Sequence, residues 1–163
     1  MVGRTEESAE SYKRAVELDS KLVGAYLGLG HVLKTLGDQE GGIAAYREAI
    51  ALRPNLGEIY FSLSNLKTFR FTDDEIAEMV KRISHESLSS ESVVHLAFSL
   101  GKAFEDNKDY DRAFQYYSQG NEVHRNSIVY DPVRTEVSHS KIKETFSGEF
   151  FNRIKTTQPG VKD

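Results

Sequence analysis

Two sets of residues recur 34 positions apart. Tyr12, Ala15 and Leu18 return as Tyr46, Ala49 and Leu52, and Tyr26 and Leu29 return as Tyr60 and Leu63. A fixed offset of this size means one supersecondary unit is repeated. A unit this short cannot bury both of its faces, so neighbours must stack on it. The complete unit is residues 23–56, VGAYLGLGHVLKTLGDQEGGIAAYREAIALRPNL. Tyr26, Leu29, Gly30 and Leu33 fall at i, i+3, i+4 and i+7, one face of a helix. Gly30 has no side chain, so a second helix can approach it closely. Gly37 suits a left-handed helix end and Asp38 the next N-cap. The second helix presents Gly42, Ile43, Tyr46, Ala49 and Ile50, and Pro54 prevents its continuation.

This pattern resembles the tetratricopeptide repeat (TPR) at nearly every signature position. Leu33 stands where that family often has Tyr, and Gly42 where it usually has Ala. Downstream, Leu100, Gly101 and Phe104 repeat Leu29, Gly30 and Leu33, and Ala113 and Tyr117 take the roles of Gly42 and Tyr46. Their offset is 71 residues, three more than two periods, so the unit between is enlarged. Ser64 replaces Gly30 in that unit.

The expected fold is all-α: a short right-handed TPR-like solenoid of helical hairpins, with one atypical enlarged hairpin and a C-terminal capping helix. About eight helices follow from two per repeat. Residues 1–20 read as the second helix of a truncated unit, 21–56 as the complete one and 57–93 as the degenerate enlarged hairpin. Residues 94–130 read as a divergent unit, 131–155 as C-terminal helices and 156–163 as a tail or linker. Beginning in mid-repeat reads as part of a longer protein.

Within the enlarged hairpin the second helix is expected at Asp73–Ser84. Thr72 or Asp73 is its N-cap, and Ile76, Met79, Val80 and Ile83 point inward. Ser89 or Ser90 caps the next helix. Asp131-Pro132 reads as an N-cap with Pro at the first helical position, and Ser147 as the cap of a last short helix.

Composition narrows the function. Hydrophobic residues make up 39% and charged residues 28%, enough to build a core. The net charge of −4 argues against nucleic acid, which needs a basic surface. No apolar run approaches the length of a membrane span, and the N-terminus lacks a signal-peptide core. A cytoplasmic location is therefore expected. The absence of cysteine rules out disulfides, thiolate metal sites and a cysteine nucleophile.

A narrower resemblance covers residues 60–151: SNLKTFRFTDDEIAEM, HLAFSLGKAFEDNKDYDRAFQYYSQGNEVHR and FSGEFF. It is similar to the region that precedes the catalytic domain in bacterial TPR-sulfotransferase proteins. That resemblance implies a non-catalytic accessory region of a PAPS-dependent enzyme. No stretch of this chain resembles the family's donor-binding loop.

No catalytic residue, cofactor site or metal site is expected. His31, His85, His95, His124 and His139 are dispersed without the spacing of a zinc site. The carboxylates Glu6-Glu7, Asp73-Asp74-Glu75 and Asp109-Asp111 read as helix-start residues that complement the macrodipole. Of Tyr116 and Tyr117, one is expected in the core and one at an interface. Phe69, Phe71, Phe150 and Phe151 read either as core or as docking residues.

The TPR resemblance implies a concave surface lined by the first helices. The expected ligand contacts are Leu27, His31, Lys34, Phe61, Asn65, Phe98 and Lys102, with Thr35, Thr68 and Glu105 beside them. The expected packing positions are Tyr26, Leu29, Gly30, Tyr46, Ala49, Pro54, Leu100, Gly101, Ala113 and Tyr117. A dicarboxylate clamp is not expected, because Leu27 and Phe61 stand where it needs polar groups. The partner expected is a protein or peptide, extended or helical, or a C-terminal catalytic domain of the same parent chain.

Overall fold

The computed structural model describes residues 2–85, 87–128 and 131–157. Among them are nine helices and no strand. They are α1 (Val2–Leu18), α2 (Val23–Leu36), α3 (Gln39–Leu52), α4 (Gly57–Ser64), α5 (Asp73–Ile83), α6 (Ser90–Asp106), α7 (Tyr110–Ser127), α8 (Pro132–Thr145) and α9 (Gly148–Thr157). The chain divides into two compact units, one through Ser127 and one from Ile128. The segment expected as a tail lies outside the described residues from position 158 onward.

Helices α2 and α3 form the complete repeat. Gly37 ends α2 with φ 87°, and its N–H returns to the carbonyls of Leu33 and Lys34. Asp38 caps α3 by accepting the Gly41 N–H at 2.9 Å. The same turn recurs 71 residues on. There Lys108 takes φ 61° and Asp109 accepts the Arg112 N–H at 3.1 Å. Lys108 carries a Cβ into the left-handed region, a strain of about 1–2 kcal/mol that Gly37 avoids. The Arg112 side chain and N–H, both donating to Asp109, hold its carboxyl below the usual carboxylate range.

The helices lock through rings laid on glycines. Tyr46 is wholly buried, and a Cβ at Gly30 would lie 2.5 Å from its ring. Tyr117 sits on Gly101 in the same way, at 2.6 Å. Tyr12 of α1 lies over Gly28 of α2, again at 2.5 Å. Ala49 and Leu100 are fully buried, and Leu29 and Ala113 nearly so. Tyr26 packs half-buried against the same core. Pro54 ends the repeat, and its carbonyl accepts the Tyr60 hydroxyl at 3.2 Å.

The middle of the first unit is irregular. α4 has only 8 residues, against 14 in α2 and 17 in α6. After its C-cap at Asn65 the chain runs without helix to Thr72. Phe69 and Phe71 alternate inward from this segment and meet edge to face at 4.8 Å, both buried. Both rings belong to the core. Thr72 and Glu75 then form a capping box that starts α5. Ile76, Met79 and Ile83 are buried, but Val80 is 37% exposed. The inward placement expected for Val80 is thus corrected: α5 covers a narrow strip of α6, and the fourth residue of its apolar face overhangs it. Ser89, not Ser90, caps α6.

α4 packs mainly on α6, and α5 packs on α6 as well. The approach of α4 is close because Gly57 lacks a side chain: a Cβ there would lie 2.4 Å from the Ser92 carbonyl oxygen. One further expectation changes. Glu6 and Glu7 lie beyond the first turn of α1, because that helix begins at Val2. Tyr116 and Tyr117 are both half-buried against the core, Tyr116 stacked on Phe104 at 5.5 Å.

In the second unit Asp131 caps α8 by accepting the N–H groups of Val133 and Arg134, with Pro132 at the first helical position. The Ser147 hydroxyl accepts the Phe150 N–H at 3.3 Å. Phe146, Phe150 and Phe151 touch one another, and Phe146 and Phe151 are exposed.

Gly57→Ala is expected to destabilise by about 1–3 kcal/mol, because the new methyl meets backbone that cannot swing away. Lys108→Gly is expected to stabilise by about 1 kcal/mol through relief of the left-handed strain. Urea unfolding of both variants checks this pair. An unchanged midpoint for Gly57→Ala would contradict the close α4–α6 contact.

Candidate functional site

The residues expected to line a groove stand on α2, α4 and α6. On α2, Leu27 is half-buried against the main core, while His31 and Lys34 are exposed. His31 is held in place: its Nδ1 lies 2.9 Å from the Tyr46 hydroxyl, and the two rings meet edge to face at 5.5 Å. The ring that locks α2 to α3 therefore also orients a surface histidine.

On α4, Phe61 is half-buried and lies outside the buried core. It stacks on His95 of α6 with centroids 5.0 Å apart and planes at 22°. Asn65 is exposed at the C-cap. On α6, Phe98 is half-buried, 5.9 Å from the Tyr117 ring and tilted against it. Gly120 of α7 leaves room for Phe98, since a Cβ there would lie 3.3 Å from its ring. Lys102 pairs with Asp106 one turn on.

Phe61 and His95 thus bridge α4 and α6, and Phe98 leans on α7. His31 belongs to the α2–α3 contact instead. His95 also lines a hollow with Ser90, Glu91, Val94, His124 and Ser127, of about 450 Å³. No group of three His, Asp or Glu side chains able to hold a metal occurs among the described residues. Among those residues, no helix is long and apolar enough to cross a membrane.

A charged cluster escaped the sequence reading. Arg47 pairs with Glu75 at 2.9 Å, and Arg70 pairs with Asp106 at 3.4 Å. Arg47 of α3 thus reaches the first turn of α5, and Arg70, after the end of α4, reaches the end of α6. The paired Phe69 and Phe71 and the Thr72–Glu75 box were its only advance signs.

Three tyrosines are held neutral. Burial pushes Tyr46 up to about 12. Burial also raises Tyr60, with Arg82 pulling the other way. Tyr117 is raised by burial and then by the hydrogen bond it donates to Glu105 at 2.9 Å.

The family model described as "TPR repeat" matches residues 3–37, and that described as "Tetratricopeptide repeat" matches residues 23–56. An "Uncharacterized protein" of Aquifex aeolicus is 24% identical over 91% of this chain and 19% of its own length. "TPR repeat-containing protein MJ1428" of Methanocaldococcus jannaschii is 32% identical over 60% of this chain and 19% of its own. The chain thus spans about a fifth of the length of these curated relatives. Its fold is similar to that in "Crystal structure of MamA", with TM-score 0.52 and 24% identity over 77% of this chain and 72% of that one.

The tyrosines set an alkaline limit. An unfolded tyrosine titrates near 10.0, and burial pushes native Tyr46 up to about 12. The native state therefore holds more protons than the unfolded state between these values, and stability falls as pH rises. The contribution is complete below pH 10.0 and is lost as pH passes through about 12. Urea unfolding across that range should show a decline that Tyr46→Phe makes shallower. Stability that stays flat through the window would contradict the burial of these hydroxyls.

Proposed function

Since this chain carries tetratricopeptide repeats, we propose that it is a non-catalytic scaffold that binds a protein or peptide along its first helices. Repeats of this kind generally mediate protein–protein interaction. The observation that carries the reading is the state of Phe61, His95 and Phe98: half-buried rings, outside the buried core, on two adjacent helices. His31, Lys34, Asn65 and Lys102 supply polar groups on the same set of helices. Aromatic anchors with a polar rim suit a peptide that contributes a few large side chains. Leu27 contributes least, because it is engaged with the core. A cytoplasmic location is part of this reading.

A second reading makes the chain the accessory region of a PAPS-dependent sulfotransferase. It rests on the resemblance over residues 60–151 and on the exposed rings of Phe146 and Phe151, which offer a surface to a neighbouring domain. A phosphate-binding loop after a strand, encoded downstream of residue 163, would favour it.

Peptides selected on the purified chain from a displayed random library provide the test. Phe61→Ala and Phe98→Ala are each expected to weaken a selected peptide by about 1–3 kcal/mol while leaving the melting temperature nearly unchanged. If both variants lose stability and keep their affinity, the rings serve packing and the reading fails.

A further inference from the structure

A hollow lies between α3 and the segment that follows α4. It is lined by Gln39, Glu40, Ile43 and Arg47 of α3 and by Thr68, Phe69 and Arg70, and has a volume of about 450 Å³. That is the size range of a small-molecule site. Ile43 and Phe69 supply its apolar wall, and the Arg47 guanidinium lies 5.7 Å from the Phe69 ring centroid.

The donors left at this hollow are on its two arginines, and the lining carboxylate left without a partner among the described residues is Glu40. Arg47 uses only Nε, on Glu75, so its two terminal nitrogens are unspent among the described residues. Arg70 directs Nε to Asp106 and one terminal nitrogen to the carbonyls of Lys67 and Phe69, leaving the other terminal nitrogen. The carboxylates beside the two arginines are already engaged. Glu75 accepts from Arg47 with one oxygen and from the Thr72 N–H with the other. Asp106 accepts from both Lys102 and Arg70. Gln39 spends its amide N–H on the Thr68 hydroxyl. Each guanidinium is paired on one side with a carboxylate and borders an apolar wall. A carboxylate is the group whose geometry such forks match.

We propose that this hollow binds a carboxylate carried on an apolar or aromatic body. The site is formed by α3 and the segment after α4, so it does not rest on the peptide-binding reading. Glu40 at its mouth disfavours anions, which limits the ligand to a single negative charge and gives the proposal a second handle. A free small acid and the C-terminal carboxylate of a peptide share this chemistry.

The test is an amide-resolved NMR titration of the full chain with 3-phenylpropionate and with acetyl-glycyl-phenylalanine. The primary amide of each serves as the neutral control. Saturable shifts are expected at Ile43, Arg47 and residues 68–70. The amides should bind at least about tenfold more weakly, since a charge-assisted pair is lost. Arg47→Gln and Arg70→Gln should each weaken the acids several-fold, and Glu40→Gln should tighten them. Phe98→Ala should leave them unchanged, which separates this site from the first-helix face. Tighter binding of the dipeptide identifies a peptide terminus as the ligand source, and equal or tighter binding of the small acid identifies a free acid. Equal shifts from acid and amide, or no shifts at 43–47 and 68–70 at millimolar concentrations, would overturn the proposal. That comparison uses the unaltered chain, so it stands even if an arginine variant fails to fold.

Discussion

The Tyr46 ring rests where the side chain of Gly30 would be, and much of the first unit depends on that contact. With a Cβ at Gly30 2.5 Å from the ring, the two helices could not close to this distance. Interiors are packed too tightly to absorb such an overlap without strain. The same arrangement between Gly101 and Tyr117 closes α6 on α7. Each tyrosine also reaches outward with its hydroxyl, Tyr46 to His31 and Tyr117 to Glu105. One residue type therefore serves packing with its ring and orients a surface group with its oxygen.

Between these two hairpins the chain departs from the repeat and still continues the core. α4 is short, yet Gly57 lets its first turn come against the backbone of α6. The lost turns of helix are replaced by Phe69 and Phe71, which fill the core from an irregular segment. α5 closes over α6 with Ile76, Met79 and Ile83. The hollow lies beside that irregular segment, against Ile43 and Arg47 of α3. An apolar core can be filled by any segment that delivers rings at the right spacing.

What the chain discloses before folding follows the range of each interaction. The roles of Gly37, Asp38, Thr72 and Asp131 are local, set by neighbours within a turn, and they were legible. Gly30 was legible as a place of close helix approach, but the ring of Tyr46 that fills the space lies on another helix and was not. Val80 was misplaced because the width of a buried strip depends on its partner, not on the period of its own helix. Glu6 and Glu7 were misplaced because the start of α1 has no capping signal near them. The Arg47–Glu75 and Arg70–Asp106 pairs join residues distant in sequence. No periodicity encodes such pairs.

The most direct test of the central contact is a double-mutant cycle between Gly30→Ala and Tyr46→Leu, read by urea unfolding. Gly30→Ala in the unaltered chain should destabilise by about 1–3 kcal/mol, because its methyl meets the ring. In the Tyr46→Leu background the same substitution should be neutral or mildly stabilising, since alanine is the better helix former once the ring is gone. The account predicts that strong coupling. Equal effects of Gly30→Ala in both backgrounds would contradict it.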